Sequence, residues 1–149
     1  MTRGEKATGY FRGGYICSQA VLAAFSGDCG ISEEQSLRLG SCFGSGMRKG
    51  EVCGACSGAL MVLGLMYGQD KTPDAEARAQ TNALTETFLE RFSQRCGSYI
   101  CNELLGCDIS TPQGVEYARG KKLFSDICPR LVGASAAILE EVIAETEGA

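Results

Sequence analysis

Residues 52–69 carry no charge, and four glycines punctuate them: Gly54, Gly58, Gly64 and Gly68. A run of 18 uncharged residues lies at the edge of what crosses a bilayer. This one also holds Cys53, Cys56, Ser57 and Gln69, so it reads as a buried central helix over 52–67 and not as a membrane span. Each glycine costs a helix interior about 1 kcal/mol. Two glycine pairs at four-residue spacing therefore point to neighbouring backbones that approach closely. The rest of the chain has to supply helices that wrap tightly around this one.

It has the means to do so. The chain holds 149 residues and only 3 prolines, which suits long helices. A first helix reads over 8–25, with Tyr10, Phe11, Ile16, Ala20, Val21, Ala24 and Phe25 on its apolar face. Ser32 and Gln35 form a capping box that opens a helix over 32–42. Residues 43–50 read as a flexible loop carrying Arg48 and Lys49. Thr72-Pro73 is a helix start with threonine as N-cap, and Leu84, Phe88 and Phe92 mark the buried face of a helix ending near 94. A short turn reads over 100–105. Thr111-Pro112 opens a further helix to about 124, and Cys128-Pro129 opens the last, with Leu131, Ser135, Ile138, Leu139, Val142 and Ile143 in an amphipathic pattern. No segment alternates as a strand does. The expected fold is one all-α domain over 1–149, a compact bundle of five to six helices around the glycine-rich one.

Composition removes much chemistry. There are nine cysteines and no histidine, so no Ser-His-Asp or Cys-His catalytic arrangement and no two-histidine metal site can be built within one chain. The net charge of −4 and the absence of tryptophan argue against a nucleic-acid partner, which calls for a basic face. An odd cysteine count in a helical chain of this length suits a reducing compartment more than a disulfide scaffold. Arg3, Lys6 and Arg12 precede an apolar stretch, but Ser18 and Gln19 interrupt it, so it does not read as a signal peptide. A cytoplasmic protein without a membrane partner is expected.

Chemistry therefore falls to sulfur. Cys53 and Cys56 form the one C-x-x-C, at the expected start of the central helix and just after Arg48 and Lys49. A helix N-terminus and nearby cations both favour thiolate over thiol. Cys53 is thus a candidate nucleophile or ligand, with Cys56 as its resolving partner in dithiol chemistry. Cys128, before Pro129, reads as another cysteine at a helix N-cap. A thioredoxin-like reading lacks its βαβ context, and structural zinc usually takes two short-spaced cysteine couples where this chain has one. Cys29, Cys42 and Cys96 read as incidental.

The chain resembles the small redox-active proteins named C_GCAxxG_C_C after their cysteine pattern. The resemblance rests on Cys17-Ser-Gln-Ala-Val, on Gly50-Glu-Val-Cys53-Gly-Ala-Cys-Ser-Gly58-Ala-Leu-Met and the following run to Gly68, on Cys101-Asn-Glu-Leu-Leu-Gly-Cys107, and on Cys128. The central order here is Cys-Gly-Ala where the family name spells Gly-Cys-Ala. The resemblance implies a functional set of Cys17, Cys53, Cys101 and Cys128, with Gly54, Ala55 and Gly58 shaping the central turn and Cys107 as an accessory. A related domain in split-Soret cytochromes is associated with an iron–sulfur centre, which lends weight to an iron–sulfur cluster as cofactor. Four sulfurs on four segments converge only if the first, central and last helices meet near the Cys101 turn. The expected function is a small redox protein whose thiolates bind an iron–sulfur cluster or other metal for electron transfer to a redox partner protein. Two alternatives stay open: a thiol–disulfide oxidoreductase using Cys53 and Cys56, and a non-catalytic metal-binding module. The glycine-rich helix is also compatible with a homodimer packed on its own copy.

Overall fold

The computed structural model describes residues 1–148. Its helices are α1 (Arg3–Arg12), α2 (Cys17–Ala24), α3 (Ser26–Cys29), α4 (Glu33–Leu39), α5 (Gly54–Tyr67), α6 (Ala75–Cys96), α7 (Cys101–Leu105), α8 (Pro112–Gly120) and α9 (Leu123–Gly148). A 3-10 turn, Gly40–Cys42, follows α4, and an irregular turn, Gly46–Gly50, precedes α5. No strand occurs among the described residues. The chain is all-α, as its sequence reads, but it is cut into nine helices among those residues where five or six were expected.

The additional breaks have local causes. The helix expected over 8–25 is two helices, because the chain turns at Gly13 and Gly14, where Gly14 takes a φ of 112°. α1 then begins earlier, at a capping box in which the Thr2 hydroxyl accepts from the Glu5 amide. Its partner α2 packs back against it. The Ser32 capping box and the Thr111-Pro112 start occur as read. Thr72-Pro73 does not cap α6. The cap is Asp74, whose carboxylate accepts from the Ala77 amide at 3.2 Å. The last helix also starts earlier than its proline suggests. Lys122 adopts a φ of 58°, which separates α8 from α9, and Pro129 lies inside α9.

α5 is central and packs against α2, α6 and α9. The reason is visible at its first glycines. A Cβ on Gly58 would stand 2.7 Å from the Ser18 carbonyl oxygen, and one on Gly54 would run into the Cys17 sulfur. Here α2 lies against bare backbone. Gly64 differs, since a Cβ there would meet nothing within 4 Å, and Gly68 ends the helix. The close approach is thus confined to the N-terminal half of α5. Buried hydroxyls fix both partners of this contact, one on α5 and one on α2. Ser135 on α9 donates to the Ala55 carbonyl at 2.7 Å, and Ser18 donates to the Gly40 carbonyl at 2.6 Å. Each would cost about 1–3 kcal/mol if left unpaired. On the far side of α5, Phe88 and Phe92 are fully buried and stack at 6.1 Å. The outer edge of α6 is clipped to α9 by Arg91–Glu145 and Arg95–Glu141. No helix among the described residues is long and apolar enough to cross a membrane.

These contacts set opposite expectations for two glycines of one helix. Gly58→Ala forces two backbones apart and should destabilise by about 1–3 kcal/mol. Gly64→Ala, on an exposed turn with open space, should stabilise by about 0.5–1 kcal/mol. Urea unfolding midpoints check the pair; the reverse order would remove close packing as the reason for Gly58.

Candidate functional site

Cys17, Cys53, Cys101 and Cys128 all line one cavity of about 360 Å³. They arrive there by different local routes. Cys17 is the first residue of α2, Cys53 is the N-cap of α5 and Cys101 is the first residue of α7. Three helices therefore begin at this cavity. Cys128 reaches it from the second turn of α9. It is not at an N-cap, so the helix-terminus argument made for it from Pro129 does not hold. Its place in the site comes from packing.

Two backbone devices align these sulfurs. The α2–α5 contact at Gly54 sets Cys17 against the start of α5. A single antiparallel bridge joins Val52 to Ile100. Within it the Cys53 amide donates to the Tyr99 carbonyl at 2.8 Å, and the Cys101 amide donates to the Glu51 carbonyl at 2.5 Å. Cys53 and Cys101 are thus held side by side although 48 residues separate their numbers. Asn102 then anchors the loop after α7. Its Oδ1 accepts from the Ile109 amide at 2.9 Å and its Nδ2 donates to Asp108 at 3.0 Å. The Asn102 side chain also fills the space a Cβ on Gly50 would need, which is why a glycine at φ 69° stands there.

The electrostatics divide the sulfurs. Cys53 is lowered from the ordinary thiol value, first by the Cys56 thiol, which donates to its sulfur, and then by the amides of Ala55 and Cys56, against the opposing effect of burial. The N-terminus of α5 therefore acts as expected. Arg48 and Lys49, expected to contribute, are not among the causes. Burial pushes the others up. Cys17 rises to about 11 and Cys128 to about 12, each also repelled by Cys53. Cys101 is raised by burial and by Cys53, Cys17, Cys128 and Cys107. Cys56 is raised by burial, by the bond it donates to Cys53 and by neighbouring sulfurs.

The remaining residues singled out in the sequence fall around this centre. Gly54 lines the cavity. Ala55 turns its carbonyl to Ser135, and Gly58 serves the contact with α2. Cys107 packs beside Cys101 without lining the cavity. Cys96, read as incidental, is close enough to the Cys53–Cys56 pair to raise Cys56. Cys42 is exposed. The sequence reading missed Arg119, which lines the cavity with Arg48, and Ser45, which lines it beside Cys17 and holds the Cys17 thiol's rise in check. Among the described residues no three cysteine or carboxylate groups stand close enough to ligate one metal ion.

One comparison with known proteins bears on these sulfurs. A family model described as "Putative redox-active protein (C_GCAxxG_C_C)" matches residues 15–142. No curated protein and no solved structure matches the chain. The matched span takes in all four cavity cysteines, the Cys53–Cys56 pair and most of α9. The chain belongs to the C_GCAxxG_C_C family.

Proposed function

We propose that this chain is an electron-transfer protein in which Cys17, Cys53, Cys101 and Cys128 hold an iron–sulfur cluster. The observation that carries the reading is their common cavity. Its volume is many times the share of one water, about 30 Å³. The donor set also suits the group. In a four-iron cluster each iron takes one cysteine, so the sulfurs need not converge on one ion, an arrangement absent among the described residues. Bound there, a cluster supplies one-electron transfer. The four thiols repel one another's charge, and a cationic core would relieve that repulsion as it displaces their protons. Apolar Leu104, Leu105, Phe124 and Leu131 wall the cavity from water, and the Arg48 and Arg119 side chains supply positive charge to offset the thiolates.

A second reading is favoured by one contact. Cys56 is buried on the first turn of the helix that Cys53 caps and is the first cause of the lowered Cys53 value, an arrangement that suits an attacking thiolate beside its resolving thiol. In that chemistry the Cys53 thiolate attacks a disulfide sulfur of a partner, forming a mixed disulfide and releasing one partner thiolate. Cys56, giving up its proton, then attacks Cys53, so that a Cys53–Cys56 disulfide forms and the second partner thiolate leaves.

Anaerobic purification separates the two. The cluster reading expects a brown protein with visible absorbance and stoichiometric iron and sulfide, lost in Cys17→Ser and Cys128→Ser. A colourless, iron-free protein after anaerobic reconstitution excludes it. The dithiol reading expects Cys53 alkylation with a pH midpoint below the ordinary thiol value of about 8.5, moved upward in Cys56→Ala.

The metal-free chain should also lose stability in alkali. Unfolded thiols ionise near pH 8.5, whereas folded Cys17 and Cys128 keep their protons to about 11 and about 12. Their raised values stabilise the folded chain fully below about pH 8.5, and that contribution is lost as pH rises through 11 and 12. Cys53, held low, acts in the opposite sense. Urea midpoints measured upward from about pH 8.5 should fall, and less steeply in Cys128→Ser.

A further inference from the structure

Beside the sulfur cavity lies a second, more open cleft of about 760 Å³. The two share Arg48, Ile109, Val115 and Arg119 as lining residues. We infer that these shared residues form a binding site for a small organic anion, a carboxylate or a phosphate monoester. Its charged group would be held by Arg48 and Arg119, and its apolar body would lie toward the cysteines.

Charge is the first ground. Arg48, Lys49 and Arg119 line the outer cleft against a single carboxylate, Glu116. None of the three cations is in an ion pair among the described residues, a state they share with most of the chain's lysines and arginines; what sets them apart is that they line one cleft together. This concentration of unpaired positive charge stands on a chain whose net charge is −4. Guanidinium groups bind carboxylate and phosphate through paired N–H donors, and two that border one opening can grip one anion from two sides.

The backbone supplies the second ground. Ser45, Met47 and Arg48 take φ values of 55°, 57° and 64°, a left-handed run unfavourable for residues with side chains. Such a run persists only where its surroundings hold it. Here Asn102 fills the space beside the next glycine, Gly50, and Ser45 lines the inner cavity together with Cys17. The turn therefore presents Arg48 from a braced loop beside the sulfurs. Arg119 comes from the last turn of α8.

The third ground is polarity. The outer cleft offers Ser110, Thr111 and the cations, while Leu104, Phe124 and Leu131 occur only on the inner side. Ile109 and Val115 lie on both. A ligand with a charged end and an apolar body matches that gradient. The site does not rest on the cluster reading: with a cluster on the cysteines, Ile109 and Val115, which line both cavities, still offer the ligand an apolar wall.

Calorimetric titration of the full chain as purified anaerobically tests this, with phenyl phosphate and benzoate as anionic probes and benzamide as their neutral counterpart. Iron content is recorded on the same samples, so that failure here is distinct from failure of the cluster reading. At least one anion should bind about tenfold more tightly than benzamide. Binding of phenyl phosphate alone narrows the class to phosphate monoesters, and binding of benzoate alone narrows it to carboxylates. Arg119→Gln and Arg48→Gln should each weaken the anion about tenfold and leave benzamide unchanged. Arg38→Gln, on α4 and away from both cavities, should change nothing. Arg119 is exposed on α8, so its variant keeps the test readable if the braced Arg48 turn does not tolerate substitution. Equal affinity for benzoate, phenyl phosphate and benzamide, or full anion affinity in Arg119→Gln, would overturn the inference.

Discussion

The contact between α2 and the bare first turns of α5 is the interaction on which the site depends. It exists because Gly54 and Gly58 have no side chain to hold α2 away. Through it the first residue of α2 meets the N-cap of α5, so two sulfurs become neighbours without any short sequence motif linking them. The same contact sets the position of Ser18, which spans to Gly40, and of Ala55, whose carbonyl receives Ser135 from α9. A core packed at crystal-like density transmits such constraints rather than absorbing them. The glycines' cost to α5 as a helix is therefore offset by the site they make.

The other half of the site hangs on two backbone hydrogen bonds. The Val52–Ile100 bridge is too short to count as a sheet, yet it is what brings Cys101 beside Cys53. Around it, Asn102 closes the α7 loop and seats against Gly50, which links that loop to the left-handed turn carrying Arg48. Sulfur, bridge and arginine are thus parts of one braced region. Its chemistry is asymmetric: one sulfur is favoured as thiolate by Cys56 and the helix start, while burial keeps the others protonated.

Much of this was legible in the chain. The uncharged glycine-rich run indicated a central helix, and Ser32 and Thr111-Pro112 marked real helix starts. Cys53 was legible as standing at the start of the central helix because the C-x-x-C followed a glycine-bearing loop with Arg48 and Lys49; that it is the N-cap itself came from the structure. Other features misled for physical reasons. Cys128-Pro129 has the composition of a helix start, but α9 already begins at Leu123 and runs on through Pro129, whose ring leaves the Ser125 carbonyl without its helical donor. Thr72-Pro73 looked the same, but Asp74 provides the cap. The break between α1 and α2 was hidden because apolar spacing runs through Gly13 and Gly14 almost unchanged. Arg119 carried no signal, since one arginine in an exposed helix resembles any other.

By itself the sequence determined the class of the fold and the kind of chemistry. Helical periodicity and the lack of strand alternation require an all-α chain, and nine cysteines without histidine leave sulfur as its reactive element. Only the tertiary structure decided which sulfurs meet and what surrounds them. Cys17, Cys53, Cys101 and Cys128 lie on four segments, and their common cavity depends on a glycine contact, an isolated bridge and the packing of α9. Residue spacing encodes neighbours along one helix. It does not encode which residues of different helices face one another, because that is set by the close approach of backbones distant in sequence.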